Sequence, residues 1–436
     1  MKSDPPPKVV RLGLLGFGTV GQALVRLAAK EGPRLFARHA LDLRVVAIGN
    51  RRVEAKRAAW AGPAVRWTSD LAAVVADPEV DVVVELLGGL EPAGSLVRQA
   101  FQAGKSVVTA NKLLLAHEGV ALAELAAERG AALGIEASVA GGIPILRAVR
   151  ESFAGDTILA VTGILNGTCN FILTEMEKTG RPYAGVLAEA QALGYAEADP
   201  RSDVEGDDAA YKLTLLARIA FGQNVAFSDI AKEGITRLLP CDFVYARQLG
   251  RSLRQLATCR LVASGRLLLS VRTHLVSKES ILAKVEGPFN AVRVEGESGG
   301  DFVFYGRGAG GDPTATAVLS DIVELARRGP RPGVPPLGFA RFQSAAPAGP
   351  DEFVSPFCLR FVVRDRPGII ADISRCLADH AINIDAVFQA PFADKEALPF
   401  VITLEPVSQR QLDGALSEIA ALSFHAAAPL ALPMTG

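Results

Sequence analysis

Carboxylates crowd one short stretch of the sequence, residues 193–212, and a lysine closes it. The carboxylates are Glu197, Asp199, Asp203, Glu205, Asp207 and Asp208. Asp208 and Lys212 are four residues apart, so they share a face if this stretch is helical. The structural interpretation is an exposed ion pair that stabilises the helix by a few tenths of a kcal/mol. The alternative is a lysine that moves a proton at a polar site.

The sequence after Asp208 favours the chemical interpretation. On a helical wheel, Leu215 and Ile219 fall on the same side as Lys212, whereas Thr214 and Arg218 take the opposite face. A lysine in line with an apolar stripe is expected to be partly buried. Buried lysines have readily shifted pKa values and suit proton transfer. We therefore predict a functional lysine on a helix over about 207–220.

A glycine-rich turn lies near the start of the chain. The motif is Gly16-Phe17-Gly18-Thr19-Val20-Gly21, which follows an apolar run over residues 9–15 and precedes a helical pattern. In this context G-x-G-x-x-G predicts dinucleotide binding, because the glycines allow close backbone approach and the helix amides face a pyrophosphate. The alternative is a glycine turn that binds nothing.

The end of the second predicted strand indicates which dinucleotide is bound. NAD sites usually carry Asp or Glu there, but this chain has Asn50, Arg51 and Arg52. Planar guanidinium groups suit a phosphate better than a neutral diol. We therefore predict NADP rather than NAD, although NAD remains an alternative and both arginines could simply be solvated.

A second lysine follows the fourth predicted strand. Thr109 ends that strand and Lys112 lies just beyond it, at the carboxyl edge where ligands bind in open α/β sheets. A cation at a helix start is mildly unfavourable, so the position needs another reason. We predict that both residues contact the cofactor and that Lys112 also contacts the substrate.

The elements around these motifs predict an α/β protein of several domains. Strands alternate with helices as far as residue 138, which predicts a Rossmann-like, doubly wound parallel sheet. An α+β domain follows over 139–328, with predicted strands at 261–269 and 271–277. Residues 329–354 are rich in proline and predict a linker. Residues 355–436 follow the order βαββαβ of a ferredoxin-like unit, which the linker predicts to fold alone.

Composition excludes several classes of protein. The 436 residues carry 46 Lys+Arg against 47 Asp+Glu, so neither nucleic acid nor an anionic membrane is an expected partner. No apolar run is long enough to span a membrane, and the start of the chain does not resemble a signal peptide. The five cysteines are scattered and none of the five histidines has zinc-ligand spacing. We expect a cytoplasmic protein without a disulfide framework.

Taken together, these motifs closely resemble homoserine dehydrogenase over about residues 9–328, and the last 80 residues or so resemble an ACT domain. The matching segments are 16–21, Thr109-Ala110-Asn111-Lys112, residues 136–144, residues 163–168, residues 193–212, Asp365-Arg366-Pro367-Gly368 and Ile382-Asn383-Ile384. The resemblance implies reversible oxidation of L-homoserine to L-aspartate 4-semialdehyde with NAD(P), in threonine, methionine and isoleucine biosynthesis.

The resemblance also implies roles for individual residues. Lys212 matches the proton donor and acceptor, and Lys112 matches a lysine near the nicotinamide and the substrate. The implied substrate-binding residues are Tyr195, Glu197, Asp203 and Asp208. Carboxylates for an ammonium group and a cation for an alkoxide agree with the composition of the 193–212 stretch.

The family further implies a monovalent cation, such as Na+, near residues 136–143. The matching positions are Glu136, Val139, Gly141 and Ile143. Carbonyls with one carboxylate suit a hard cation. The alternative is an ordinary glycine hinge between domains.

The ACT resemblance implies feedback control by a small amino acid, with threonine as the expected effector. Asp365, Gly368 and Asn383 are the expected effector-binding residues, because the helix amides after Gly368 can receive a carboxylate. ACT modules pair across an interface, so we expect a homo-oligomer, a dimer or a tetramer. The alternative is a tail that only strengthens dimer contacts.

Two other classes of protein remain as alternatives. Prephenate and phosphoglycerate dehydrogenases also join a nucleotide-binding domain to an ACT tail, but they use a histidine near the cofactor. Here only His117 lies near a cofactor motif, within the predicted helix after Lys112. A catalytically silent NADP-binding sensor is the other alternative, and the intact set of lysines and carboxylates disfavours it.

Overall fold

The computed structural model describes residues 7–57, 60, 64–329, 337, 338, 341–390 and 394–436. Within this part of the chain, no helix is both long and apolar enough to cross a bilayer. The chain forms two compact units. The first contains the described residues up to Val161, with those of Tyr211–Phe227 and Val292–Ala345, and the second contains those of Thr162–Ala210, Ser228–Ala291 and Ala346–Gly436.

The strands are, in chain order, β1 (Lys8–Leu15), β2 (Leu41–Gly49), β3 (Arg66–Thr68), β4 (Val82–Glu85), β5 (Ser106–Thr109), β6 (Leu133–Gly134), β7 (Ile158–Ile164), β8 (Gln223–Asn224), β9 (Ala231–Lys232), β10 (Arg251–Leu261), β11 (Leu267–Ser277), β12 (Phe289–Gly296), β13 (Gly300–Arg307), β14 (Gln343–Ser344), β15 (Val354–Ser355), β16 (Phe357–Val363), β17 (Ile384–Phe388), β18 (Leu398–Leu404), β19 (Val407–Ser408) and β20 (His425–Thr435).

The α-helices are α1 (Thr19–His39), α2 (Val53–Arg57), α3 (Leu71–Ala76), α4 (Ala93–Gln102), α5 (Lys112–Glu128), α6 (Ile145–Arg147), α7 (Gly167–Thr179), α8 (Tyr183–Ala192), α9 (Arg201–Val204), α10 (Asp207–Phe221), α11 (Pro240–Gln248), α12 (Gly311–Arg328), α13 (Ile369–Asp379) and α14 (Gln409–Ala420). The helix predicted over 207–220 is α10.

The first unit is built on a parallel sheet with the strand order β3-β2-β1-β4-β5-β6. This order places the carboxyl ends of β1 and β4 side by side at the switch point of a doubly wound fold. The two central strands are mainly apolar, as expected where helices cover both faces: Leu12, Leu14 and Leu15 are fully buried in β1. The predicted Rossmann-like sheet is therefore confirmed.

The second unit contains an antiparallel hairpin of β10 and β11, and the sequence-based strand limits were wrong there. The predicted strands at 261–269 and 271–277 are replaced by strands ending at Leu261 and starting at Leu267. The turn between them contains Gly265 at φ +78°, and the amide of Val262 donates to the carbonyl of Arg266. Polar residues in β10, such as the fully buried Arg254, interrupt its apolar pattern, so the sequence did not indicate this strand.

The C-terminal residues form the predicted βαββαβ unit from β16, α13, β17, β18, α14 and β20. Its sheet continues that of the hairpin, in the order β10-β11-β20-β16-β18-β17. One face of β16 packs with α13 and α14, whereas Cys358 on the other face joins a core with Phe243 and Leu253. One sheet and one core thus join the C-terminal residues to elements before them in the chain.

A buried ion pair reinforces that shared core. Arg360 on β16 is 2% exposed and its Nε donates to Asp242 Oδ1 on α11 at 3.1 Å. The same guanidinium donates to the carbonyls of Arg237 and Ala428. Nine residues of the proline-rich segment predicted as a linker, namely 330–336, 339 and 340, lie outside the described residues.

Candidate active site

The glycine turn has the geometry of an anion cradle. Gly16 has φ +101°, and a Cβ there would lie 2.8 Å from the carbonyl oxygen of Leu86, so only glycine fits. At Gly18 a Cβ would meet nothing within 4 Å, which leaves open space in front of the turn. Helix α1 follows at Thr19 with no side chain capping its first amides. These amides therefore remain available to a pyrophosphate.

Asn50 fixes the turn against the end of β2. Its Oδ1 accepts from the amide of Phe17 at 3.4 Å, and the amide of Gly16 donates to the carbonyl of Gly49 at 2.9 Å. Asn50 therefore acts on the backbone of the turn. The sequence had indicated its position near the cofactor but not this contact.

A cleft of about 700 Å³ opens beside the end of β2. Arg51 and Arg52 line it together with the hydroxyl-bearing Thr68 and Ser69. Guanidinium and hydroxyl groups are suitable donors to a phosphate. Sequence reasoning missed the two hydroxyl residues because β3, which brings them here, has only three residues.

An aromatic cluster packs behind the turn. The ring of Phe17 lies 5.8 Å from that of Trp60 and 5.1 Å from that of Trp67, both edge to face. Trp67 also lines the cleft beside the arginines. These are the two tryptophans of the chain, so tryptophan fluorescence reports on this region alone.

At the end of β5, Thr109 is buried and engaged with its neighbours. Its Oγ1 donates to the fully buried Glu85 at the end of β4 and accepts from the amide of Asn111 at 3.0 Å. Asn111 in turn caps α5 by accepting from the amide of Leu114. These bonds fix the start of α5, where Lys112 is the first residue.

Lys212 is buried, with 8% of its surface exposed. The wheel predicted this burial, but Thr214 and Arg218 on the opposite face are buried as well, at 0% and 4%. Arg218 is buried because its guanidinium caps main-chain carbonyls: it donates to Leu115 at 2.9 Å, to Ala116 at 2.8 Å and to Val225 at 3.0 Å. Arg218 thereby ties α10, which carries Lys212, to α5.

In the second unit, one amide joins two of the predicted substrate carboxylates. Asn166 Nδ2 donates to Asp203 Oδ1 at 2.7 Å and to Asp208 Oδ2 at 2.8 Å. Asn166 is 4% exposed and Asp208 is 5% exposed. The structure thus brings Asp203 and Asp208 together. Asn166 stood in a matching segment, but its sequence position gave no sign of this role.

The other two predicted substrate residues lie at the surface. Tyr195 is 43% exposed, its ring centroid lies 4.8 Å from that of Phe171, and its carbonyl accepts from Thr168 Oγ1 at 2.6 Å. Glu197 is exposed, and its carbonyl accepts from Gln191.

The predicted cation loop follows β6, and strand structure there ends at Gly134. The carboxylate of Glu136 accepts from the amides of Leu146 and Arg147, both at 2.9 Å. Burial, and then the charge of Asp321, raises the pKa of Glu136 to about 7. Its own amide donates to Asp321, which also pairs with Arg147 at 2.9 Å. Both oxygens of the Glu136 carboxylate thus already have donors.

The main chain of this loop turns sharply after Val139. Ala140 and Gly141 have φ +52° and +54°, which is the left-handed region. A Cβ on Gly141 would lie 2.5 Å from the carbonyl oxygen of Gly308, so this position requires glycine. Val139 and Ile143 are buried. A cation here would depend on the loop's carbonyl groups more than on the carboxylate.

The effector turn in the C-terminal unit borders a cavity of about 250 Å³. Asp365, Arg366, Gly368 and Gln389 contribute polar atoms to its lining, with Phe400 on the apolar side. Asn383 is not among the lining residues, because its Nδ2 donates to Glu405 Oε2 at 3.0 Å. The structure therefore groups Asp365 with Gly368 and leaves Asn383 apart.

These features define a nicotinamide-dependent oxidoreductase that carries an amino-acid-binding module. Comparison with known families agrees. The model of the homoserine dehydrogenase NAD-binding domain matches residues 16–136, the homoserine dehydrogenase model matches 144–323, and the ACT model matches 359–424. The chain belongs to the homoserine dehydrogenase family, and its reaction class is EC 1.1.1.3.

Individual relatives cover nearly the whole chain. A homoserine dehydrogenase from Pseudomonas aeruginosa is 40% identical over 421 residues, which is 95% of this chain and 96% of that protein. The crystal structure of a homoserine dehydrogenase from Thiobacillus denitrificans superposes with a TM-score of 0.92 at 39% identity, covering 99% of both chains. A hyperthermophilic archaeal homoserine dehydrogenase in complex with NADPH matches with a TM-score of 0.62 at 27% identity, covering 77% of this chain and 100% of that one.

Proposed function

We propose that this chain interconverts L-homoserine and L-aspartate 4-semialdehyde with NADP as its preferred cofactor and Lys212 as the proton carrier. The observation that carries the assignment of Lys212 is its burial on α10, one turn beyond a carboxylate. Burial lowers the cost of releasing a proton from an ammonium group, which a proton carrier needs. Asp208 and Asp203 hold the ammonium group of the substrate, with Glu197 and Tyr195 at the edge of the site.

In the direction of oxidation, Lys212 takes the proton of the substrate hydroxyl group as the carbon–oxygen double bond forms. The turn at Gly16 and the cleft of Arg51 and Arg52 would hold NADP, which would supply the hydride acceptor for the same carbon. In the reverse direction the Lys212 ammonium returns the proton to the developing alkoxide. Lys112, placed by the cap of Asn111 at the start of α5, supplies a fixed positive charge for that oxygen.

The test of this mechanism is the variant Lys212→Ala. Removing a general acid–base group lowers kcat by roughly 10²-fold or more. The Kd for NADPH, followed by quenching of the two tryptophans beside the glycine turn, should stay within about twofold, because the variant leaves the turn intact. Lys178→Ala is the matched control, since Lys178 makes an exposed pair with Glu286 at 2.7 Å. A Lys212→Ala enzyme that keeps most of its kcat would refute the assignment.

The preference for NADP is supported by the cleft that holds Arg51, Arg52, Thr68 and Ser69. The archaeal relative with bound NADPH is consistent with it. The open space at Gly18 and the uncapped start of α1 fit the pyrophosphate of either nicotinamide cofactor. The discrimination therefore rests on the arginines.

We also propose a monovalent cation, such as Na+, on the loop of Glu136, Val139, Gly141 and Ile143. The left-handed turn at Gly141 supports a loop that presents carbonyl groups, which suit a hard cation. Replacing choline chloride by NaCl at constant ionic strength should then raise the Tm of the protein. An unchanged Tm would count against the cation.

Regulation by threonine is proposed at the cavity beside Asp365 and Gly368, whose 250 Å³ suits a small amino acid.

A homo-oligomer is proposed because β17 ends the described sheet order and exposes 45% of Val387. Light scattering that gives a monomer mass would contradict it. A cytoplasmic location is proposed from the five free cysteines and is testable by cell fractionation.

A further inference from the structure

We propose that Asn166 is a positioning residue that fixes the spacing of the two substrate carboxylates, Asp203 and Asp208. The inference rests on the proposed substrate site and extends it to a residue outside it. The two hydrogens of one amide nitrogen serve the two carboxylates, at 2.7 and 2.8 Å. The distance between the two accepting oxygens therefore cannot exceed the sum of these two hydrogen-bond lengths.

Two carboxylates this close repel each other, and the amide offsets that repulsion by donating to both. Hydrogen bonds to charged groups are about twice as strong as neutral ones, and they are directional. The arrangement thus holds both carboxylates in a fixed direction. A substrate ammonium group needs such preorganised oxygens, because each misplaced hydrogen bond weakens its binding.

The other end of the Asn166 side chain fixes the amide itself. Its Oδ1 accepts from the amide of Cys169 at 2.7 Å as the N-cap of α7. This bond leaves only the NH2 end to face the carboxylates. Cys169 Sγ also donates to the carbonyl of Asp203 at 3.2 Å, so the start of α7 holds both the backbone and the side chain of Asp203.

The chain offers variants that separate capping from positioning. Asn166→Ser keeps a good N-cap, because a serine oxygen can still accept from an amide of the first turn, but it removes the NH2 group. Asn166→Asp keeps the cap and the shape of the side chain but replaces the donor by a third carboxylate. Asn170→Ser is the matched control: Asn170 lies on the same helix, is 1% exposed, and donates to the carbonyls of Val285 and Gly287 rather than to a carboxylate.

The experiment measures KM for homoserine, kcat, Kd for NADPH and Tm in the full-length enzyme and each variant. We expect Asn166→Ser to raise KM for homoserine about tenfold while kcat changes less than about threefold, the split expected when hydrogen bonds to charged groups that bind the ground state are lost. Asn166→Asp should raise KM by about 100-fold, since repulsion is added to the loss. Asn170→Ser should lower Tm and leave KM unchanged.

Asp208→Asn makes the failure of this proposal distinguishable from the failure of the proposed site. If Asp208→Asn raises KM for homoserine and Asn166→Ser does not, the site stands and the role of Asn166 is overturned. If Asp208→Asn leaves KM unchanged, the carboxylates do not bind the substrate and the role of Asn166 fails with them. The role is also overturned if Asn170→Ser raises KM as much as Asn166→Ser, or if Asn166→Asp is no worse than Asn166→Ser.

Discussion

Gly16, with φ +101°, and Gly368, with φ +95°, both adopt the left-handed region, and a helix follows each turn. The two turns differ in what surrounds the glycine. A Cβ at Gly16 would strike the carbonyl of Leu86 at 2.8 Å, whereas a Cβ at Gly368 would meet nothing within 4 Å. The first turn thus needs glycine for space and conformation, and the second for conformation alone.

The flanking side chains suit the two turns to different ligands. The cleft near the first turn has about 700 Å³ and presents two arginines, which suits an extended phosphorylated ligand. The cavity at the second has about 250 Å³ and combines Asp365 with Arg366, opposite charges that suit a small zwitterion. In the two proposed sites, the backbone offers helix amides at both turns, and the side chains suit ligands of different size and charge.

The sheets that carry the turns differ as well. The buried residues of strands β1 and β4 are mainly leucine and valine, and Glu85 at the end of β4 is the ionisable one among them. The second sheet buries ionisable groups in mid-strand, namely Arg254, His274 and Arg360. We therefore expect the second region to respond to pH, because buried ionisable groups couple folding to protonation.

The largest effect should come from breaking the first turn. Gly16→Ala places a Cβ against Leu86 and forces a left-handed residue, so kcat/KM for NADPH should fall by roughly 100-fold or more as the cradle distorts. Gly18→Ala is the sharper control, since its Cβ meets no protein atom within 4 Å and can interfere only with a bound ligand. Its Tm should match that of the wild type. A Gly16→Ala enzyme with normal kinetics would remove the turn from the cofactor site.

The next effect concerns the side chains beside the first turn. Replacing Arg51 and Arg52 together by alanine should raise KM for NADP by about 10- to 100-fold and KM for NAD much less, because only NADP carries the phosphate that guanidinium groups bind. The measurement is initial rates with both cofactors. Equal changes in the two KM values would mean that the arginines do not recognise the phosphate.

The smallest effect concerns the second sheet. Burial, and then the charge of Arg272, lowers the pKa of His274 to about 3, below its ordinary value of 6.5. In the unfolded chain this histidine takes up a proton below pH 6.5, whereas in the folded chain it stays neutral down to about pH 3. The free energy of unfolding therefore falls as the pH drops below 6.5. Between pH 7.5 and 5.5 this costs about 1.4 kcal/mol. His274→Leu should show a smaller loss of unfolding free energy in urea over that interval; an identical loss would exclude His274.

Local features of the site were predictable from the sequence. The Gly16 turn and the order βαββαβ depend on residues close together in the chain, so spacing alone indicates them. The burial of Lys212 followed from its alignment with Leu215 and Ile219 on one helix. In each case, the helix, strand or turn could be identified from its own residues.

Features that depend on distant partners were not predictable. The order βαββαβ predicts a final strand but not its partners: β20 spans eleven residues and pairs with both β11 and β16. Its alanines and prolines have low strand propensity, and its neighbours impose the conformation. The burial of Arg218 was not predicted, because two of its three carbonyl partners, Leu115 and Ala116, lie about 100 residues earlier in the chain. The amide of Asn166 escaped notice for the same reason.

The shared core of the second unit also changes how regulation must be tested. A deletion after Gln343 would remove Cys358, Leu430 and Leu432 from the core that they form with Phe243, so lost activity would reflect unfolding. A point variant in the effector turn avoids this problem. Gly368→Ala strains one residue without a clash, and it lies outside the proposed catalytic machinery.

The proposal that the Gly16 turn binds the cofactor and the Gly368 turn binds threonine is tested most directly by the initial rate of NADPH oxidation with L-aspartate 4-semialdehyde. The rate is measured at increasing threonine concentration in the full-length wild type and in Gly368→Ala. We predict turnover in both enzymes with the same KM for NADPH. Millimolar threonine should inhibit the wild type, and the concentration for half inhibition should rise about tenfold or more in the variant, because the strained turn misaligns the helix amides. A wild type that ignores millimolar threonine, or a variant that is inhibited equally, would contradict the account.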